Sequence, residues 1–209
     1  MRLLVVTAVD AERDAVVAGL PAGATVSVIA GGVGPAAAAA SAAAALAGGG
    51  FDLALSAGIG GGFAPLVPGD IAVASAIVFA DLGAESDGGF VPVSELGFGG
   101  ERYDVPARLA VELTDRTGGH LGTVLTVATV TGSAERASAL AGRFPDAVAE
   151  GMEGAGVAAA ARLHDVAFGE VRAISNAVGP RDRAAWEIPA ALAALARAVA
   201  AIVGAESMS

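Results

Sequence analysis

Leu3 to Ala8 is an unbroken apolar run rich in β-branched residues, and it predicts a strand covered on both faces. Asp10 to Leu20 follows with an acidic first turn and predicts a short helix. Thr25 to Ala30 predicts a second strand. Pro35, at the first helical position after Gly31-Gly32-Val33-Gly34, predicts a helix running through Ala47, and Gly48-Gly49-Gly50 ends it. Leu53 to Ala57 predicts a third buried strand, with Gly58-Ile59-Gly60-Gly61-Gly62 as the turn after it. Ile71 to Phe79 predicts a fourth strand. Residues 81 to 104 carry no period and predict a long loop.

The alternation continues to the end of the chain. Val105 to Thr117 is amphipathic and predicts a helix, and Leu121 to Thr131 predicts a Val- and Thr-rich strand. Ser133 is placed to cap a helix over Ala134 to Gly142. Ala147 to Gly151, Glu153 to His164 and Ala167 to Ser175 read as strand, helix and strand. Arg181 to Glu187 reads as a loop or helix start before a last helix over Ile188 to Val203. Strands alternating with helices give an α/β fold: a mixed, mostly parallel central sheet flanked by helices. Neither a repeat nor a linker interrupts it, so residues 1–209 are assigned to a single domain. In such sheets the segments after the strands share one neighbourhood, where ligands bind.

Composition narrows the chemistry. The chain has no cysteine, and all 12 of its basic residues are arginine. A disulfide framework, a thiol nucleophile, a Schiff-base lysine and a lysine-bearing P-loop are therefore excluded. His120 and His164 share no ligand-like spacing, and no metal or other cofactor is implied. A formal net charge of −10, with no basic stripe, argues against a nucleic-acid partner. Ala15 to Phe51 lacks any charge, but alanine, glycine and proline interrupt it too often for a membrane span. The N-terminus lacks a signal-peptide pattern, which points to the cytoplasm. Few charges among 55% hydrophobic residues point to surface hidden in a homo-oligomer.

Several post-strand residues are candidates for chemistry. Glu12 competes with Asp10 and Asp14 for a catalytic role, and a solvated first turn explains all three equally. Gly58 and Ile59 would let a ligand touch backbone, unless the glycines only serve a sharp turn. Met152-Glu153 stands at a strand–helix junction between glycines, where a carboxylate accepts hydrogen bonds from a vicinal diol or caps a helix. Ser175-Asn176 forms a polar pair at a strand tip, and the Asn amide offers a donor and an acceptor to one edge of a heterocycle. Gly32 to Ala37 matches a weak dinucleotide fingerprint. Its acidic partner is misplaced, because Asp52 begins the next strand rather than ending it.

In order, these segments resemble the purine nucleoside phosphorylase/nucleosidase superfamily across nearly the whole chain. Ala8-Val9-Asp10-Ala11-Glu12 is similar to the 5′-methylthioadenosine/S-adenosylhomocysteine nucleosidases, and the resemblance makes Glu12 the catalytic carboxylate. Ala30 to Ala37 and Ser56 to Phe63 are similar to the family's glycine turns. Met152-Glu153 is similar to the pair that packs on and grips the ribose. Arg172-Ala173-Ile174-Ser175-Asn176 is similar to the stretch at the base, except that Asn176 replaces an aspartate. An amide donates to O6 or N7 of a 6-oxopurine, whereas an ionised aspartate only accepts. Asn176 thus favours hypoxanthine or guanine over adenine. The glycine segment holds no arginine for phosphate, which favours water as nucleophile.

A narrower resemblance links Asp81-Leu82-Gly83-Ala84-Glu85 and residues 176–188 to the futalosine hydrolase branch of that superfamily. It implies hydrolysis of futalosine to hypoxanthine and dehypoxanthine futalosine on the futalosine route to menaquinone, by a homodimer or larger homo-oligomer. The substrate bears a benzoate on its 5′ side, which Arg181 or Arg183 with Trp186 would meet. The rivals are an adenine nucleosidase, a 6-oxopurine phosphorylase, or a nucleotide-binding protein without hydrolase activity. The proton donor to the base is left open between water and Asp182.

Overall fold

A computed structural model describes residues 2–204. The assignment of residues 1–209 to one domain therefore reaches, at Met1 and 205–209, outside the described residues. The elements are β1 (Leu3–Thr7), α1 (Asp10–Gly19), β2 (Val26–Ala30), α2 (Pro35–Leu46), β3 (Leu53–Gly62), β4 (Ile71–Phe79), β5 (Gly83–Ser86), β6 (Gly89–Pro92), β7 (Arg102–Asp104), α3 (Ala107–Thr117), β8 (His120–Thr126), α4 (Ala134–Arg143), β9 (Ala147–Gly151), α5 (Gly154–Leu163), β10 (Ala167–Ala177) and α6 (Ile188–Gly204). Together they form the expected single α/β domain.

The central sheet is 8-stranded and mixed. β1 pairs in parallel with β2 and β3, β3 with β10, β4 with β8, and β8 with β9. The antiparallel pairs are β10–β4, β3–β9 and β4–β7. The length of β3 closes the sheet on itself. Its first residues, Leu53–Ser56, pair with β1. Gly61 and Gly62, beyond the end of β1, pair with β9 instead. With β10 along its other edge, β3 joins β10, β4, β8 and β9 into a ring.

The unbroken apolar runs reflect burial on both faces. In β1, Leu4 and Val6 pack with α2 and α5, while Leu3 and Val5 pack with α1 and α6. The alternation follows from the period of two along a strand. The alanine-rich sequence serves close helix packing: a Cβ on Gly156 of α5 would come within 2.1 Å of the Pro35 carbonyl oxygen at the start of α2. A third cluster, around Phe63, Leu125 and Leu140, lies under α4.

Several expected boundaries are corrected. Gly58–Gly62 is not a turn but the second half of β3. Gly58, Gly60, Gly61 and Gly62 are glycines because neighbouring groups occupy the space their side chains would need. The loop expected over 81–104 contains the β5–β6 hairpin, and β7 pairs with β4. β8 stops at Thr126, before the expected Thr131, and β10 runs on to Ala177. Helix α3 begins at Ala107, after Pro106. Among the described residues no helix is long and apolar enough to cross a membrane.

Candidate active site

The junction after β1 aims Glu12 inward. Glu12 is only 4% exposed. Its Oε2 accepts from the Ala8 and Val9 N–H groups at 2.9 and 3.2 Å, and its Oε1 from the Ile59 N–H at 2.8 Å. Asp10 and Asp14 instead pair with Arg13 on the outer surface, at 2.7 and 2.8 Å. Of the three acids, Glu12 alone faces the cavity.

Beneath Glu12 lies a buried charged network. Arg172, on β10, is 1% exposed. Its Nη1 lies 3.0 Å from Glu153 Oε2, its Nε donates to Glu170 Oε1 at 2.7 Å, and its Nη2 donates to Ser56 Oγ at 2.9 Å. Burial pulls the proton affinity of Arg172 down, but Glu170, Glu153 and Glu12 together outweigh it, so its pKa lies above the ordinary value. Burial pushes the Glu170 carboxyl up, against the pull of Arg172. Glu170 Oε2 is the one buried side-chain polar atom without a partner among the described residues. Glu153 Oε1 accepts from the Gly34 N–H at 3.1 Å, and Oε2 from the Met152 N–H at 3.3 Å. Gly34 holds φ at +91°, a conformation that glycine adopts without strain. The turn that matches the weak dinucleotide fingerprint directs its Gly34 N–H to a carboxylate of the protein itself.

The opposite wall comes from the end of β10. A bulge between Ile174 and Asn176 shifts the register against β3 and re-aims the strand tip. Ser175 Oγ donates to the Gly60 carbonyl at 3.2 Å and lies 2.8 Å from Asn176 Oδ1. Asn176 Nδ2 donates to the Ala177 carbonyl at 2.9 Å. The Glu187 N–H returns to the Ser175 carbonyl at 2.8 Å, tying residues 177–187 over the site. There the Arg181 and Arg183 guanidinium groups lie 5.9 and 5.8 Å from the centre of the Trp186 ring.

These walls enclose a cavity of about 320 Å³. Glu12, Ile59, Met152, Glu153, Ser175, Asn176, Arg181 and Trp186 all line it. Gly58, Arg183 and Asp182 do not. Gly58 sits behind the carboxylate: a Cβ there would lie 2.9 Å from Glu12 Oε1 and 2.5 Å from Arg172 Nη1. Arg183 belongs to a one-turn helix, and Asp182 caps that turn by accepting from the Ala184 N–H at 3.1 Å.

The sequence reading missed Glu150 and Val130 in the lining and the network role of Arg172 and Glu170. A signal was present for the last two. Glu170 and Arg172 are two apart in an apolar strand and so share a face, where each serves as the other's counter-charge. The expected lack of a nearby arginine is also corrected: Arg172 reaches the glycine segment from β10, with its donors engaged by Glu153, Glu170 and Ser56. Among the described residues no group of three His, Cys, Asp or Glu is placed to hold a metal.

The family model described as "Phosphorylase superfamily" matches residues 6–205, and the chain belongs to that superfamily. In fold it is similar to the 5′-methylthioadenosine/S-adenosylhomocysteine nucleosidase of Neisseria meningitidis, with a TM-score of 0.83 and 20% identity over 98% of this chain and 99% of that one. The futalosine hydrolase of Helicobacter pylori is equally similar in fold, with a TM-score of 0.83 and 17% identity over 98% of each chain. Sequence similarity is narrower. The chain is 53% identical to the futalosine hydrolase of Streptomyces coelicolor over 95% of its own length and 94% of the relative's. It is 45% identical to that of Acidothermus cellulolyticus over 97% and 90%. Within the superfamily the chain belongs to the futalosine hydrolases.

Proposed function

We propose that the chain is an N-glycosidase that hydrolyses futalosine to hypoxanthine and dehypoxanthine futalosine, on the futalosine route to menaquinone. One observation carries the assignment of roles: residues far apart in sequence, Glu12, Glu153, Asn176 and Arg181, line one cavity. Glu12 takes a proton from water as the water oxygen bonds to C1′. The C1′–N9 bond breaks and its electron pair leaves with the base. Glu153, fixed by Arg172 and Gly34, accepts from the ribose 2′- and 3′-hydroxyls, and Met152 packs on the sugar. Ile59 borders the sugar, with Gly58 supporting Glu12 from behind. Asn176, beside Ser175, donates to O6 or N7 of the base. Arg181 meets the benzoate beside the Trp186 ring, and Arg183 stacks on that ring away from the cavity.

Water rather than phosphate fits as nucleophile because each nitrogen of Arg172, the arginine buried behind Glu12, is already engaged. The whole chain acts as one domain, in the cytoplasm, as a homodimer or larger homo-oligomer. The test is incubation with futalosine, inosine and 5′-methylthioadenosine, with and without phosphate, followed by product analysis. Hypoxanthine from futalosine at a phosphate-independent rate is expected. Release of adenine in preference, or a sugar 1-phosphate, overturns the reading.

A further inference from the structure

Glu150, at the end of β9, is a buried carboxyl that the roles above leave unused. It is 5% exposed and lines the cavity. Its Oε1 accepts from the Thr131 N–H at 2.9 Å, and the Thr131 hydroxyl donates to Oε2. β9 pairs with β3 so that Glu150 lies opposite Gly61, and β10 pairs with β3 so that Asn176 lies opposite the same Gly61. Glu150 and Asn176 thus stand in one row across adjacent strands. Gly61 puts no side chain between them.

The charge environment of Glu150 differs from that of its neighbours. Glu153 and Glu170 share Arg172, whereas Glu150 has no ion-pair partner among the described residues. Arg136 on α4 and Asp81 after β4 face it across residues 128–131, and they pair with each other at 3.5 Å. Glu12, Glu153 and Arg181 are the other charged groups of the cavity. Burial raises the Glu150 pKa, outweighing the Thr131 bonds and Arg136, and Asp81 adds to the rise. A buried carboxyl outside any ion pair binds a proton more readily than an exposed one.

We propose that Glu150 is the general acid that protonates the departing base, from the wall beside Asn176. The inference rests on the N-glycosidase reading. An amide binds a 6-oxopurine but gives up no proton, so Asn176 alone leaves the base to depart as an anion. As the C1′–N9 bond breaks, the carboxyl O–H bond of Glu150 breaks and its proton passes to a ring nitrogen of the base. Glu150 is left as carboxylate while Glu12 holds the proton taken from water. Exchange with solvent then returns both to their starting states.

The experiment compares Glu150→Gln with the unchanged full chain on two substrates. One is futalosine. The other is the analogue in which 4-nitrophenolate, which departs without a proton, replaces hypoxanthine. We expect Glu150→Gln to lose about 100-fold or more in kcat on futalosine but less than about 3-fold on the nitrophenyl analogue. Equal losses on both overturn the role of Glu150. Failure of the unchanged protein to release hypoxanthine overturns the underlying reading instead. If the variant does not fold, the pH profile of the unchanged protein decides. Activity on futalosine should fall as pH rises through the raised carboxyl pKa, whereas the nitrophenyl analogue shows no such limb. The same alkaline limb on both substrates overturns the proposal.

Discussion

The two sides of the cavity hold their polar groups by different means. On the Glu12–Glu153 side, carboxylates from α1 and the β9–α5 junction meet an arginine from β10 and a serine from β3, all nearly solvent-free. Most of the hydrogen-bonding atoms have a partner fixed in another element. On the Asn176–Trp186 side, the groups come from one continuous stretch of chain and are partly exposed. Stacking, a capped turn and the Glu187–Ser175 backbone bond hold them. The first side is over-determined, so a change there should be felt across the sheet. The second is local, and a change there should remain local.

The largest effect belongs to Glu12. Glu12→Gln keeps the volume and removes the base, so kcat should fall by roughly 10²–10⁴-fold with KM little changed. Steady-state kinetics on futalosine check this. Near-normal turnover would move the role to another acid and remove the functional half of the comparison.

Arg172→Met tests the over-determined half as structure. It leaves Glu153 and Glu170 buried without their cation, a loss on the order of 3–5 kcal/mol in stability. Urea unfolding should show a lower midpoint. A variant as stable as the parent would mean that the carboxylates are neutral in the folded protein and that the network carries little charge.

Gly58→Ala probes the same side more gently. The added methyl meets Glu12 Oε1 and Arg172 Nη1, both inside normal contact distance. Overpacking of this kind costs about 1–3 kcal/mol. Because the methyl displaces the Glu12 carboxylate, kcat should fall about tenfold or more, by the rule that misplacing a catalytic group is costly. Unchanged kcat with reduced stability would show that the Glu12 position tolerates displacement.

How much of this was legible beforehand follows from the range of each interaction. The strands were visible because burial on both faces demands unbroken apolar runs, as in Leu3–Thr7. Glu12 and Glu153 were visible because each follows a strand, and Asn176 because it stands at a strand tip, where ligands gather. The meaning of Gly58–Gly62 was not. A run of glycines reads as a turn, and the atoms that exclude side chains there belong to Glu12, Glu150, Arg172, Ile174 and Val178, none of them local in sequence. Glu150 was hidden for a similar reason. Its significance depends on Thr131 and on the pairing of both β9 and β10 with Gly61, which no local pattern encodes. The small hairpin in 81–104 escaped notice because its strands are four residues each and largely exposed, so no apolar alternation marks them.

The smallest effect, and the sharpest test of the local side, concerns Arg181. It lines the cavity beside Trp186, while Arg183 lies at nearly the same distance from the ring but outside the lining. A partly exposed cation facing a carboxylate contributes up to about 1 kcal/mol, or roughly fivefold in binding. Arg181→Ala should therefore raise KM for futalosine by a few-fold and leave kcat and the unfolding midpoint unchanged. Inosine lacks the 5′ carboxylate, so its KM should not move, and added salt should erase the difference for futalosine. Arg183→Ala should do nothing to either substrate. If Arg183→Ala raises KM for futalosine instead, the guanidinium groups exchange places over Trp186 when substrate binds. If Arg181→Ala lowers stability as well, the loop is coupled to the buried network, and the two sides of the cavity are one unit.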